Sequence, residues 1–270
     1  MIQNVTASSE PRDPSAILEA RGIVKHFGHV EALRGVDFAA HAGEVTALIG
    51  DNGAGKSTLV KILSGVYEPT AGSIVLDGQT VTFASPADAH AKGIETVYQD
   101  LSVAPDLSPA ANMFMGREAL RAGLLGKLGF LDNATMRRDS AAAFQRLKVS
   151  LKDMDTPISS LSGGQRQSVA ICRSIMWAKR VVFMDEPTAA LGVLQTARTL
   201  ELIRRIRDTG VAIVLISHNM RDVLEVADTI EVLRLGRRIV RLRNDGVTVQ
   251  DLVGAMTGAL DAAAERGTAA

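Results

Sequence analysis

Cysteine is nearly missing. Cys172 is the only one among 270 residues, so no internal disulfide can form and a reducing compartment fits. Aromatic residues make up 4% of the chain, too few for the stacking platforms that hold single-stranded nucleic acid. Neither sign of charge is in excess: 30 Lys and Arg face 30 Asp and Glu, for a formal net charge of zero. Without a basic footprint, no nucleic-acid partner is expected. Long apolar runs are absent too. Residues 211–216 are typical of the longest, and a membrane helix needs roughly 18. Residues 1–14 are polar and carry acids, with no basic start followed by an apolar stretch, which is not the pattern of a secretory signal. The chain is therefore expected in the cytosol, or at a membrane only through a partner. Its length allows one large domain or two small ones.

What is present starts with Gly50-Asp51-Asn52-Gly53-Ala54-Gly55-Lys56-Ser57-Thr58. An apolar run at 45–49 precedes it and reads as a buried strand. Leu59, Val60, Ile62 and Leu63 follow at the spacing of a helical core face. Strand, glycine-rich turn and helix are the context that a nucleotide-binding P-loop requires. Small residues let successive backbone N–H groups curl around a phosphate, and the helix N-terminus adds its positive dipole end. Lys56 is placed to reach the β- and γ-phosphates, and the Ser57 hydroxyl to hold Mg²⁺. The plainer alternative is a tight glycine-rich turn with no ligand.

Residues 1–15, rich in Ser, Pro and Asp, read as a disordered leader. Strands are expected at 17–27 and 32–39, and at 73–77 and 79–83 around the hairpin signal Asp77-Gly78. Ser85-Pro86 opens a short helix, with Ser as cap and Pro in the first turn, and 94–99 is the next strand. From 100 to about 178 no convincing strand appears. Ser108-Pro109 starts a helix, 116–129 reads as irregular, and 132–147 and 162–177 read as helices. This looks like a helical subdomain inserted between two halves of an α/β core. Strand and helix then alternate again. Residues 211–217 form a near-continuous apolar strand, as in a parallel sheet covered on both faces. Residues 258–270 read as a flexible tail.

Two further stretches carry chemistry. Val181-Val182-Phe183-Met184-Asp185-Glu186 is an apolar strand ending in two acids. Beside a P-loop, Asp185 fits a Mg²⁺ ligand and Glu186 fits a group that orients or deprotonates a water; a solvated acidic pair at a strand end is the bland alternative. In Leu161-Ser162-Gly163-Gly164-Gln165-Arg166-Gln167, Ser162 can cap a helix whose first N–H groups Gly163 and Gly164 leave accessible. Physics alone reads this as an ordinary capped helix. Cys172 reads as a buried, inert thiol, and Trp177 and Tyr67 as packing residues.

The stretch at 161–167 resembles the signature motif of ATP-binding cassette ATPases. The order and spacing of the P-loop, Gln99, the signature, Asp185-Glu186 and His218 match that family over residues 17–256. The resemblance implies an α/β fold: a P-loop NTPase with a RecA-like core, an antiparallel β-subdomain and an inserted helical subdomain, together spanning 16–257. It implies ATP and Mg²⁺ as ligands. It also implies a head-to-tail homodimer in which each ATP lies between one P-loop and Ser162, Gly163, Gly164 and Gln165 of the other copy. By the same resemblance, Phe27 stacks on adenine, Gln99 touches Mg²⁺ or water and senses a membrane partner, and His218 contacts the γ-phosphate. One position departs from the pattern: after Glu186-Pro187-Thr188 the family usually carries Ser-Ala-Leu-Asp, and Gly192 stands where that Asp is expected.

Within the family, Val97-Tyr98-Gln99-Asp100-Leu101, Leu107-Ser108-Pro109-Ala110-Ala111-Asn112, Met115-Gly116-Arg117-Glu118 and Ala190-Leu191-Gly192 look like the ribose/xylose/fructose class of monosaccharide importers. That implies separate transmembrane permease subunits, indirect service to a periplasmic solute-binding protein, and a peripheral place on the cytoplasmic face of the inner membrane. An exporter cassette, an importer cassette for another solute, or a soluble non-transport factor are the competing readings.

Overall fold

Two long strands, β1 (Ala16–Phe27) and β2 (Val30–His41), come first in the computed structural model, which describes residues 16–151 and 153–259. There follow β3 (Val45–Ile49), α1 (Lys56–Leu63), β4 (Ala71–Leu76), β5 (Gln79–Val81), α2 (Pro86–Ala91) and β6 (Ile94–Val97). Then come α3 (Pro109–Phe114), α4 (Leu124–Lys127), α5 (Asn133–Arg146), a single 3₁₀ turn (Ile158–Ser160) and α6 (Gly163–Trp177). The last third holds β7 (Val181–Asp185), α7 (Val193–Arg207), β8 (Ala212–Ile216), α8 (Met220–Val226), β9 (Thr229–Arg234), β10 (Arg237–Arg243) and α9 (Val249–Thr257). The expected leader, and the expected tail from residue 260 on, lie outside the described residues.

Local chemistry accounts for many of these boundaries. The Ser85 hydroxyl accepts from Asp88 N at 3.3 Å and the Ser108 hydroxyl from Ala111 N at 3.2 Å. In both helices a proline takes the first turn, where its missing N–H costs nothing. Asp77 and Gly78 both have positive φ, 49° and 75°, the geometry of a two-residue hairpin turn joining β4 to β5.

The strands form two sheets. One is antiparallel, in the order β2-β1-β4-β5; the other runs β10-β9-β3-β8-β7-β6. In the second sheet β3, β6, β7, β8 and β9 are mutually parallel and β10 is an antiparallel edge. Side chains alternate between its two faces. Val182, Met184, Ile213 and Leu215 join α5, α6, α7 and α8 in one core. Val181, Phe183, Val214 and Ile216 join α1 and the antiparallel sheet in the other. This double burial explains why β3 and β8 are apolar at nearly every position.

The named elements between β6 and β7 are all helical. The expected irregular stretch at 116–129 contains α4, in a loop closed by an antiparallel bridge between Leu120 and Leu131. Exposed apolar side chains crowd this loop: Leu124 is 73% and Leu128 66% exposed, and Leu120, Leu125, Phe130 and Leu131 are exposed beside them. Trp177 closes the helical layer by packing edge-on to Phe114 at 5.5 Å and donating to Met113 O at 3.0 Å.

Candidate functional site

The parallel register brings the chemistry to one edge. Leu48 on β3 and Asp185 on β7 both pair with Ile216 on β8. The carboxyl ends of three adjacent strands therefore lie side by side, and each is followed by a stretch singled out above. Gly50 follows β3, Glu186 follows Asp185, and His218 follows β8 by two residues. In open parallel sheets this edge is where ligands bind.

The loop at 50–58 is shaped by close approaches. Gly50 has φ 148°, and a Cβ there would run into the Leu233 carbonyl oxygen. Gly55 has φ 105°, and its Cβ would lie 2.6 Å from a Leu33 methyl. Only glycine fits either place. Ala54 is buried, whereas Asp51, Asn52, Gly53 and Ser57 are exposed and Thr58 is half-buried. No side chain caps α1, so its first N–H groups remain available to an anion. Lys56 Nζ donates to Gly50 O at 2.6 Å and to Asp51 O at 3.0 Å, folding back over the loop. Burial pushes its pKa down, opposed by the charges of Glu186, Asp51 and Asp185.

Asp185 is half-buried. Its pKa is raised, first by burial and then by the neighbouring Glu186 carboxylate, against the pull of Lys56 and Lys61. A cation at this position would relieve both causes. Among the described residues no group of three or more His, Cys, Asp or Glu side chains could hold a metal ion. The donors present, Ser57 and Asp185, suit a small hard cation that takes its remaining oxygens from phosphates and water.

Glu186 is held from three directions. Its backbone is left-handed, at φ 50°, an uncommon state for a side chain of this size. Its N–H donates to Ile216 O at 2.9 Å. Its Oε1 accepts from His218 N at 3.0 Å and lies 2.8 Å from His218 Nδ1. The carboxylate side chain is 14% exposed and the imidazole 77%. Glu186 is thus a shielded carboxylate with an open histidine over it.

The remaining expected residues come from other elements. Gln99 is exposed, two residues beyond β6 at the sheet's far edge. Phe27 is 42% exposed and meets Tyr67 edge-on at 5.3 Å, with Lys25 Nζ 5.3 Å from the Phe27 ring centroid. Tyr67, read from the sequence as a packing residue, is half-buried and supports this aromatic surface as well. Its position in a turn after α1 gave no signal of that. The signature residues are elsewhere. Ser162 and Gln165 satisfy each other in a capping box: Ser162 Oγ accepts from Gln165 N at 3.3 Å, and Gln165 Oε1 from Ser162 N at 3.0 Å. Gly163 is open, and Gly164 packs against Gln195 of α7. The P-loop's tight neighbours are instead Leu33, Ala32 and Leu233. Gly192 occupies the N-cap of α7 with no side-chain cap, and the Gln195 Oε1 lies 2.7 Å from where its Cβ would be.

A phosphate-cradling loop, an acid pair and a histidine on one sheet edge define a P-loop ATPase. Residues 33–189 match the ABC transporter family model, and the chain belongs to that family. It is 49% identical over 245 residues to the fructose import ATP-binding protein FrcA of Rhizobium meliloti, covering 90% of this chain and 94% of that one. It is 42% identical over 243 residues to the xylose/arabinose import ATP-binding protein XylG of Sulfolobus acidocaldarius, with the same coverage of 90% and 94%. A crystal structure of a nucleotide-free ATP-binding cassette from an ABC transporter superposes with a TM-score of 0.75 at 25% identity, over 90% of this chain and 95% of that one. The chain is a nucleotide-binding ATPase cassette.

Proposed function

We propose that this chain is the ATP-hydrolysing subunit that energises a membrane importer for a monosaccharide such as fructose, ribose or xylose. The observation that carries the catalytic part is the register of β3, β8 and β7, which sets residues 50–58, Asp185, Glu186 and His218 on one edge. The relatives named for sugar import support the solute class.

In this reading the N–H groups of residues 50–58 cradle the ATP phosphates, and Lys56 leaves its carbonyl partners to pair with the terminal phosphate. Phe27 offers its ring to adenine. Ser57 and Asp185, with Gln99 alongside, would hold Mg²⁺, which supplies charge neutralisation on the phosphates when bound. Glu186 accepts a proton from the water that attacks the γ-phosphorus as the bond to the ADP oxygen breaks. His218 keeps the carboxylate aimed by its two contacts and presents its exposed ring to the γ-phosphate. Ser162, Gly163, Gly164 and Gln165 of a second copy close the site from above. Ser162 Oγ and Gln165 Oε1 serve the helix cap as acceptors, so the Ser162 hydroxyl proton, the Gln165 side-chain NH₂ and the N–H groups of Gly163 and Gly164 are the donors left for phosphate.

Separate transmembrane permease subunits are the partners, and a periplasmic solute-binding protein acts through them. Among the described residues no helix is long and apolar enough to cross a membrane. The crowded exposed leucines around α4 are the kind of patch that marks a contact surface. The place of action is the cytoplasmic face of the inner membrane.

Glu186→Gln tests the chemistry. It should lower ATP turnover by about 10²-fold or more, the usual worth of a positioned base, while nucleotide binding persists. Unchanged turnover would remove Glu186 from the mechanism. For the solute, ATP hydrolysis by the complex purified with its membrane partners should be stimulated by a pentose or hexose; indifference to every monosaccharide would overturn that assignment.

A further inference from the structure

The helix that carries the signature stretch also grips the segment that carries Gln99. Arg173 lies on α6 about three turns beyond Ser162, at the repeat that returns to the same face of a helix. Its Nη1 donates to Ser102 O at 2.8 Å and its Nη2 is 3.3 Å from Leu101 O. These carbonyls belong to the residues just after Gln99 and Asp100. The planar guanidinium fork meets two successive carbonyls with two separate nitrogens held in one fixed geometry, where a lysine would offer a single nitrogen on a flexible stem.

The gripped segment is otherwise loosely built. The β6 ladder stops at Val97. At the far end, the fully buried Asn112 side chain accepts from Ala104 N at 2.8 Å and donates to Ala104 O at 3.0 Å. Between these anchors, Ser102 holds a left-handed backbone at φ 48° and its hydroxyl donates to Asp100 O at 3.0 Å. A non-glycine residue keeps such a conformation only when its surroundings impose it. The Arg173 bond to the Ser102 carbonyl is one such restraint. A neighbouring ion cluster fixes the base of the same unit: Glu95 on β6 is 2.8 Å from Arg117 Nη2, and Arg117 stacks on the Trp177 ring at 5.0 Å. The rigid α6, capped at one end and anchored by Trp177 at the other, thus has a direct link to the Gln99 segment at Arg173.

We propose that Arg173 is a positioning residue for ATP hydrolysis: it transmits displacement of the signature helix to Gln99 within the same chain. The proposal rests on the nucleotide sandwich described above. When a second copy's nucleotide engages the start of α6, Arg173 draws residues 101–102 with the helix and sets Gln99 against the site at the sheet edge.

A double-mutant cycle on the full-length protein tests this. Arg173→Ala and Gln99→Ala should each lower kcat at least tenfold, while the dissociation constant for a fluorescent ATP analogue stays within about threefold. Because Arg173 acts through Gln99, adding Arg173→Ala to Gln99→Ala should cost less than twofold more. Arg173→Lys, which keeps charge but not the fork, should recover only part of kcat. Fluorescence of Trp177, the single tryptophan, should be unchanged in every variant, showing that α6 is still packed. Effects of the two substitutions that multiply would overturn the proposal. So would a normal kcat in Arg173→Ala, or loss of nucleotide affinity in step with kcat. Glu186→Gln, run in parallel, separates the two layers of inference. If it retains normal turnover, the underlying mechanism fails; if it is inactive while Arg173→Ala is normal, only the link fails.

Discussion

Cys172 shows how far burial alone sets chemistry at a single residue. It lies in the α6 core with no exposed surface, and burial pushes its pKa from 9.0 up to about 12. A thiol reacts as the thiolate, so the native protein should resist alkylation at pH 8 and react only on unfolding, as mass spectrometry across a denaturant series would show. The same shift carries a stability term. The folded pKa exceeds the unfolded one, so the native state holds its proton longer. The contribution is full below about pH 9 and is lost as pH rises toward 12, at no more than ~1.4 kcal/mol per pH unit. Cys172→Ala should flatten the alkaline limb of denaturation midpoint against pH. An unchanged limb would show that other groups govern it. Lys56 and Asp185 differ in kind: their shifts run in opposite directions, each toward the neutral form, at the edge where nucleotide is proposed to bind.

At the scale of elements, α6 and α7 meet where two glycines face one glutamine. A Cβ at Gly164 would lie 2.8 Å from Gln195 Cγ and 3.2 Å from its Cβ, and the Gln195 amide covers the missing side chain of Gly192. Two effects compete in Gly164→Ala. Helix propensity favours alanine by up to about 1 kcal/mol, whereas forcing a methyl into a packed contact costs about 1–3 kcal/mol. The clash is with atoms close to the α7 backbone, so overpacking should win. Chemical denaturation should show a net loss, and Gln195→Ala in the same chain should restore part of it. Stabilisation of Gly164→Ala alone would mean α7 moves freely. This contact was not legible in the sequence, because Gly164 and Gln195 are joined only by tertiary packing. Local signals were legible: Ser85-Pro86, Ser108-Pro109 and Ser162 each start the helix expected of them, and Asp77-Gly78 turns the expected hairpin. Helix α4 was hidden, since Leu124–Lys127 makes a single turn with no capping side chain and no apolar face turned inward.

For the whole molecule, the order β10-β9-β3-β8-β7-β6 is what assembles the catalytic edge, and no local pattern states it. Apolar runs at 45–49, 181–184 and 211–216 say only that three strands are buried on both faces. Their adjacency comes from parallel pairing of distant segments: β3 pairs with β8 across more than a hundred residues of chain, and β7 pairs with β8 around the whole of α7. The proposed assembly requires each copy to hold one half of the site. One copy holds residues 50–58, Asp185, Glu186 and His218 on one sheet edge, while Gly164 of its signature turn packs against Gln195 of α7. ATP that is bound but not hydrolysed should therefore join two copies, because it favours the closed pair by its contacts with both. In Glu186→Gln at saturating Mg²⁺ and ATP, light scattering should give the mass of two chains, falling to one when nucleotide is removed. Lys56→Ala, added to that variant, should stay at one, since the phosphate is no longer held. Ser162→Arg, which leaves the P-loop of its own chain intact but fills the opposite half, should bind ATP and remain single. Glu186→Gln staying monomeric while binding ATP normally would mean that the signature turn meets no second nucleotide, and the site would have to be complete within one chain.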